Sequence, residues 1–412
     1  MKKSKSGGRP LVKKLPQTAA WLYHLLTLVA SLLLRLLFSL RIRVDSSVRA
    51  LKGPVILLGN HPSYLDPLIM AAALWPRKIR FMTSRDFFRG RFASVLLHKV
   101  GAIPKTQFRT DMQAIKTVLG TLQSGGAVAI YPEGQRSIDG RLQPVDESLF
   151  KLIKKAGCPV VMVMEQGAYL AWPRWAKGLF RPGRVHVSAS LLLDRDAIKL
   201  ATPAGLRQTI LKSMAYNDYD LQKTRPVRYR SRRPAAGMSD ICHQCPSCGR
   251  ELAMKTIDRA IICRNCGNQG LVDTTGLIRS APAAPGAAPC KVWSDVASWH
   301  RWQLNRLKKA IKHDSFKRTF PATLSWPDEP EIKQPVTGTL VMTAQELSFY
   351  ARIDQAAEHT LVLSIPLKNR SGVSAKFGSY FDLVYADRLF RFTVQPGQAV
   401  ILLADIIYAQ EN

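Results

Sequence analysis

The sequence predicts an α/β domain with a mixed sheet covered by helices. An apolar N-terminal helix precedes it, and a cysteine-rich module and a small β-rich domain follow. Three observations carry this prediction. Short apolar runs alternate with helical patterns between about residues 50 and 222. Five of the seven cysteines fall between Cys242 and Cys266. Beyond Thr337 the pattern turns to short strands at close spacing. Alternating strands and helices indicate a sheet covered by helices.

The first element is the run from Thr18 to Leu40, apolar apart from His24, Arg35 and a few hydroxyls. It has about the ~20 residues that a bilayer span needs, but Arg35 would be costly near the centre. Bases flank both sides (Lys13, Lys14; Arg41, Arg43), so charge gives no clear orientation. A helix lying in the interface, or a shallow re-entrant one, fits these flanks better than a clean span. A buried core helix is the competing reading.

Gly53-Pro54 punctuates the first strand, Pro54–Gly59. Further strands are expected at Ile79–Met82, Ala127–Tyr131, Pro159–Met164 and Arg184–Ser188. Helices are expected at Asp66–Leu74, Asp111–Ser124 and Glu147–Ala156. Thr202-Pro203 reads as an N-cap followed by Pro at the first helical position, opening a helix to about Ala215.

Composition bounds the partners. At ~150 residues per domain, 412 residues suggest two or three domains. A hydrophobic content of 46% excludes a wholly disordered chain. Sixty Lys+Arg against 29 Asp+Glu give a net charge of +31, which calls for an anionic partner. Nucleic acid and anionic lipid headgroups are the two candidates. The surplus is uneven: the last 85 residues carry 10 acids and 7 bases, a net of −3. They read as a separate domain with no need of an anionic surface.

Chemistry begins after the first strand, at Gly59-Asn60-His61-Pro62-Ser63-Tyr64-Leu65-Asp66-Pro67. Positions five apart on a regular helix do not meet. Pro62 favours a turn, and Asp66-Pro67 reads as an N-cap pair, so the chain can fold His61 back onto Asp66. A histidine held by a carboxylate on one ring nitrogen acts as a general base from the other. A polar turn with a capping aspartate is the plainer reading. A second cluster, Tyr131-Pro132-Glu133-Gly134-Gln135-Arg136-Ser137, follows a strand end, where α/β sheets place ligands. A guanidinium there suits phosphate oxygens. A third, Gly101-Ala102-Ile103-Pro104-Lys105 with Arg109 beyond it, adds positive charge. A fourth, Gly157-Cys158-Pro159-Val160-Val161-Met162-Val163, is a buried-strand pattern in which Cys158 reads as core.

In that order, NHPSYLD, GAIP, YPEGQRS and CPVVMV resemble the four blocks of the PlsC-like glycerolipid acyltransferase family (the lysophosphatidic acid acyltransferase group), over roughly Leu51 to Leu193. The resemblance implies O-acyl transfer from acyl-CoA or acyl carrier protein to a lysophospholipid hydroxyl, with 1-acyl-glycerol-3-phosphate the leading acceptor. Block by block, His61 matches the general base and Asp66 the residue that orients it. Glu133, Gly134 and Arg136 match the acceptor-binding loop, and Asn60 and Ser63 match companions of the histidine. The second block often has an arginine about three residues after its proline. Here that position is Gln107, with Lys105 and Arg109 on either side, so phosphate is expected on Arg136 first, then Arg109 and Lys105. The implied place is the cytoplasmic face of the cell membrane, among anionic lipids. The stretch Gly167 to Trp175 (GAYLAWPRW) resembles a bacterial subset in which a zinc ribbon follows. Its Trp172 and Trp175 read equally as interfacial anchors or as core.

Lys223–Arg233 holds six bases and reads as part of a linker, residues 223–240. Two C-x2-C-G knuckles follow, Cys245/Cys248 and Cys263/Cys266. They supply four thiolates for a tetrahedral, closed and therefore structural Zn2+ site in a ribbon over 241–270. Cys242 and His243 are not expected to ligate. Ser280–Pro289 reads as a Pro/Ala linker, and Val292–His313 as an amphipathic helix bearing Trp293, Trp299 and Trp302, within a segment 271–312. Residues 313–412 should form a β-rich unit of about seven strands closed by a helix, Gln398–Tyr408, which resembles a PH or GRAM domain. The corresponding N-terminal divisions are 1–45 for the basic N-terminus and apolar helix, and 46–222 for the acyltransferase domain. Two alternatives stand beside this reading. One is a membrane-associated zinc-ribbon protein that binds nucleic acid or lipid on an inactive acyltransferase fold. The other is acylation of a different lysolipid. The ribbon lacks a dense aromatic and basic face, which argues against nucleic acid.

Overall fold

A computed structural model of the chain describes residues 19–410 except 110, 179, 283–287, 330, 333, 353–358, 370 and 371. Lys13, Lys14 and the centre of the Pro/Ala stretch lie outside the described residues.

The first sheet comprises β1 (Arg41–Val44), β2 (Val55–Gly59), β3 (Ile79–Ser84), β4 (Ile103–Lys105), β5 (Ala127–Ile130), β6 (Val160–Gln166) and β7 (His186–Leu193), in the order β1-β7-β6-β2-β5-β3-β4. All pairs are parallel except β6 with β7, so the sheet is mixed. Its helices are α1 (Ala20–Phe38), α2 (Ser46–Ala50), α3 (Asp66–Ala73), α4 (Arg91–Val100), α5 (Met112–Gln123), α6 (Ser148–Ala156), α7 (Ala168–Ala171), α8 (Arg195–Leu200), α9 (Pro203–Met214) and α10 (Asp218–Thr224). Every residue of β2 is buried. Its alternate side chains split between two cores: Val55 and Leu57 join α3 on one face, and Ile56 and Leu58 join α5, α6 and α9 on the other. Local signals set the helix starts. Asp111 Oδ1 accepts from Ala114 N at 2.9 Å, and Thr202 Oγ1 accepts from Gly205 N at 3.1 Å before Pro203.

Four elements depart from expectation; β7, expected at Arg184–Ser188, runs His186–Leu193. Asp66 does not cap α3; it is the first helical residue, and its carboxylate turns back to Ser63 and His61. The four-residue β1 and three-residue β4 are too short for a periodic signal.

The apolar helix α1 packs on α3 through one stripe, Tyr23, Thr27, Ala30, Leu34 and Phe38. The opposite face leaves Trp21, Leu25, Leu28, Leu32, Leu33 and Leu36 exposed. Among the described residues it is the one helix long and apolar enough to cross a membrane.

A four-stranded sheet, β8 (Met254–Ile257), β9 (Ala260–Cys263), β10 (Gln269–Val272) and β11 (Ile278–Ser280), follows in the order β11-β10-β9-β8. The basic segment before it is packed rather than free: Tyr229 is buried and donates its hydroxyl to Arg184 O at 2.8 Å. Helix α11 (Val296–Ala310) buries Trp299 in the same core as the first sheet, donating to Gln244 O at 3.0 Å.

The last sheet comprises β12 (Lys317–Ser325), β13 (Val336–Thr343), β14 (Glu346–Arg352), β15 (His359–Pro366), β16 (Val373–Lys376), β17 (Tyr380–Tyr385) and β18 (Arg388–Val394). It is wholly antiparallel, in the order β15-β14-β13-β12-β18-β17-β16. Helix α12 (Ala399–Ala409) fills its core with Val400, Ile401, Leu403, Ile406 and Ile407.

Candidate active site

The carboxyl ends of β6, β2, β5 and β4 lie along one edge of the first sheet and carry Glu165, His61, Glu133 and Lys105. Ligands of α/β sheets bind at such edges.

His61 Nδ1 donates to Asp66 Oδ2 at 2.7 Å, which leaves Nε2 as the free ring nitrogen. Asp66 is fully buried and also accepts from Ser63 N (2.9 and 3.0 Å) and Ser63 Oγ (2.9 Å). Burial pulls the His61 pKa below the ordinary imidazole value of 6.5, against the opposing pull of Asp66. The ring is therefore neutral at pH 7 and its Nε2 lone pair is available as a base. The ring stacks on Tyr131 at 4.4 Å. Gly59 makes that stack possible, because a Cβ there would meet Tyr131 at 2.9 Å and Met70 at 2.7 Å.

The loop after β5 is tied to the same turn. Glu133 accepts from His61 N through Oε1 and from Gln143 N through Oε2, both at 2.9 Å. Burial pushes its pKa up to about 8, against these two donors. Ser137 N donates to His61 O at 2.7 Å. Asn60 clamps β2 to β6, donating to Glu165 O and accepting from Glu165 N, each at 2.8 Å. Asn60 and Ser63, expected as companions of the histidine, and Glu133, expected in the acceptor-binding loop, thus spend their polar atoms bracing the His61 turn. Gly134 is exposed at the loop tip with φ +66°.

Arg136 lies over the Tyr64 ring at 3.3 Å, and its Nη1 is buried without a hydrogen-bond partner. Its charge and that of Arg174 both depress the His61 pKa. An orphaned guanidinium donor beside a neutral histidine is an arrangement suited to an anion. Arg109 is engaged elsewhere. Its guanidinium lies 3.3 Å from Asp328 and 3.5 Å from Asp387, carboxylates of the C-terminal unit, and its buried Nε has no hydrogen-bond partner. Gln107 donates to Gly134 O at 3.0 Å, so the departure in the second block joins two loops. Lys105 is half-buried at the end of β4, near Asp146.

Sequence reasoning missed Glu165, Tyr131 and Arg174. Glu165 is fully buried and neither carboxyl oxygen has a hydrogen-bond partner. Burial and the neighbouring Asp66 carboxylate hold its pKa well above the usual carboxylate range. Arg174 donates to Gln135 Oε1 (3.2 Å), to Arg136 O (2.9 Å) and to Ala375 O. Trp175 is core and donates to Tyr169 OH at 2.8 Å, and Tyr169 donates to Ile138 O at 3.0 Å. Trp172 is half-buried against Tyr64 and Phe180. The GAYLAWPRW stretch therefore supports the Glu133–Arg136 loop from beneath. Its proximity to a strand end was the available signal.

The four cysteine thiols of the ribbon lie within 4.8 Å of one another. Cys245–Cys266 and Cys248–Cys263 sulfurs are 3.7 and 3.8 Å apart, close to the ~3.8 Å edge of a tetrahedron with ~2.3 Å Zn–S bonds. These distances exclude disulfides. Knuckle amides of Ser247 and Asn265 donate to Cys245 and Cys263 sulfurs at 3.4 Å, as thiolates require. Cys242 and His243 stay outside the cluster.

Residues 40–164 match the family model described as Acyltransferase. The match includes His61, Asp66 and Arg136 and stops one residue short of Glu165. A 1-acyl-sn-glycerol-3-phosphate acyltransferase of Brassica napus (BAT2, chloroplastic) is 27% identical over 37% of this chain and 47% of its own length. One of Streptococcus pneumoniae is 26% identical over 37% of this chain and 54% of its own. The chain spans about half the length of the curated relatives it matches. The PlsC acyltransferase structure of Thermotoga maritima aligns with a TM-score of 0.41 at 18% identity, over 51% of this chain and 81% of that one.

Proposed function

We propose that this chain is a membrane-associated O-acyltransferase. It moves a fatty acyl group from a thioester donor, acyl-CoA or acyl carrier protein, to the hydroxyl of a lysophospholipid, with 1-acyl-glycerol-3-phosphate as acceptor. The observation that carries this reading is the His61–Asp66 pair, its free Nε2 beside the orphaned Nη1 of Arg136. His61 Nε2 takes the proton of the acceptor hydroxyl while that oxygen attacks the thioester carbonyl. Asp66 supports the imidazolium that forms. The tetrahedral intermediate collapses with C–S cleavage, and the proton passes from His61 to the departing thiolate. Arg136 holds the acceptor phosphate. Lys105 adds field from the rim.

The other units serve this reaction. Zinc on Cys245, Cys248, Cys263 and Cys266 is structural, since four thiolates leave no open position. The exposed leucine face of α1, with exposed Phe87, Phe92 and Val95 beside it, seats the protein in the cytoplasmic leaflet, where the basic surface meets anionic lipid. The antiparallel sheet with its closing helix is a PH- or GRAM-like unit.

The test is acyl transfer by purified full-length protein to lysophosphatidic acid, with acyl-CoA and acyl carrier protein offered in turn. His61→Ala should slow transfer by ~10²–10⁴. Arg136→Ala should raise the acceptor KM at least ~10-fold, from loss of a charged hydrogen bond worth ~1.5–3 kcal/mol. Near-normal turnover in His61→Ala would refute the mechanism. Salt-dependent oligonucleotide binding without transfer would replace it with the nucleic-acid reading.

A further inference from the structure

The loop that carries Glu133 and Arg136 ends in a buried network of charges. Asp139, 1% exposed, accepts from Arg141 Nε at 2.9 Å and from His300 Nδ1 at 2.9 Å. The other ring nitrogen, His300 Nε2, faces Asp405 at 3.0 and 3.1 Å. His300 and Asp405 are 4% and 2% exposed. His300 lies on α11 and Asp405 on α12, so a single ring joins the catalytic sheet to the C-terminal unit.

Burial alone would strip the proton from this imidazole. The two carboxylates outweigh burial and push its pKa up to about 10, while the partners of Asp139 hold that carboxyl at about 2. The set is then neutral: Arg141 and His300 against Asp139 and Asp405. Two further ties cross the same boundary. Gln135 donates to Tyr408 OH at 2.6 Å, which donates to Val373 O at 2.8 Å, and Arg174 donates to Ala375 O.

We propose that His300, clamped between Asp139 and Asp405, is a positioning residue for acyl transfer. It fixes the 133–141 loop against the His61 turn, and through it the C-terminal unit sets the affinity for the acceptor phosphate. The path is continuous. Asp139 lies two residues from Ser137, whose amide holds His61 O, and three from Arg136. Slack at Asp139 therefore moves the phosphate ligand and the base together, and a misplacement of ~1 Å can cost ~10² in rate. The proposal rests on the acyltransferase reading.

The test uses the full chain with lysophosphatidic acid and the thioester that supports transfer. His300→Gln and the milder Asp405→Asn should raise the acceptor KM at least ~10-fold and leave the donor KM within ~2-fold. A control in the same helix, Leu307→Ala, removes buried surface from the C-terminal core without touching the network. It should lower the melting temperature and leave the acceptor KM unchanged. Amide exchange of the 133–141 peptide gives a readout independent of turnover and should quicken at least ~10-fold in both network variants. Folded variants with normal acceptor KM and normal exchange would overturn the proposal. So would a Leu307→Ala effect on acceptor KM as large as theirs. Absence of transfer in the wild-type chain would instead refute the functional reading, and exchange would still decide the positioning role.

Discussion

His61 titrates in a direction that activity can read. Burial lowers its pKa, so the neutral base persists to lower pH than a free imidazole would allow. The acid limb of kcat/KM should therefore lie below pH 6.5 and move up toward it when Asp66-independent burial is relieved, as in Tyr131→Ser. An acid limb above 6.5 would contradict the geometry. At this scale the sequence was partly legible. His61, Asp66 and Arg136 stood out because a base, its carboxylate and a guanidinium beside strand ends form a recognisable set. The bracing of Asn60, Ser63 and Glu133 was not legible, because spacing cannot distinguish an atom that touches substrate from one that holds a backbone amide. Glu165 was hidden within an apolar strand run, where nothing marks which face its side chain takes.

Among the elements, the knuckles and the apolar helix invite direct measurement. Metal analysis should find about one zinc per chain, and Cys245→Ser should lose it. Because Cys245 and Cys263 belong to the core that also holds Leu57 and Trp175, metal loss should lower the melting temperature of the whole catalytic half and not of the ribbon alone. Helix α1 should be separable from folding. Leu32 and Leu36 are 59% and 70% exposed, so Leu32→Lys with Leu36→Lys should leave the melting temperature unchanged while weakening partition into anionic vesicles at least ~10-fold. Unchanged partition would place the anchor elsewhere. β2, β3, β5 and β6 and helices α3, α5, α6 and α9 were legible to within a residue or two where β-branched runs or caps marked them, whereas β7 runs five residues past its expected end. Asp66 was misassigned, because a carboxylate that binds a side chain looks in sequence like one that caps a helix. The strand Lys317–Ser325 escaped notice because a proline sits inside it.

At the scale of the whole molecule, the ribbon and α11 share the core of the first sheet, while the C-terminal sheet keeps a core of its own. Composition shifts mark where sequence changes character, not whether the pieces share a core. The buried His300 network predicts an alkaline weakness. Its folded pKa is raised from 6.5 to about 10. The stability it contributes is therefore complete below pH 6.5 and is lost as pH rises through about 10. The groups facing the ring are Asp139, Asp405, Arg141 beyond Asp139, and the neutral His243, whose pKa burial pulls down to about 4. The melting temperature of wild type should exceed that of His300→Gln most near pH 6, and the gap should close toward pH 10. A gap that widens on the alkaline side would reverse the assigned charge.

The same ring also dates the birth of activity on the ribosome. His300 is made 161 residues after Asp139, and Asp405 another 105 after that. At ~5–20 residues per second, roughly 15–50 s separate the emergence of the catalytic loop from that of its last brace. Through that interval a nascent chain would carry the exposed leucine face of α1 while Asp139 lacked the His300–Asp405 clamp. Under the proposed function, chains cut before Asp405 should still bind bilayers through α1 and transfer no acyl group to the lysolipid, whereas chains that include Asp405 should transfer it.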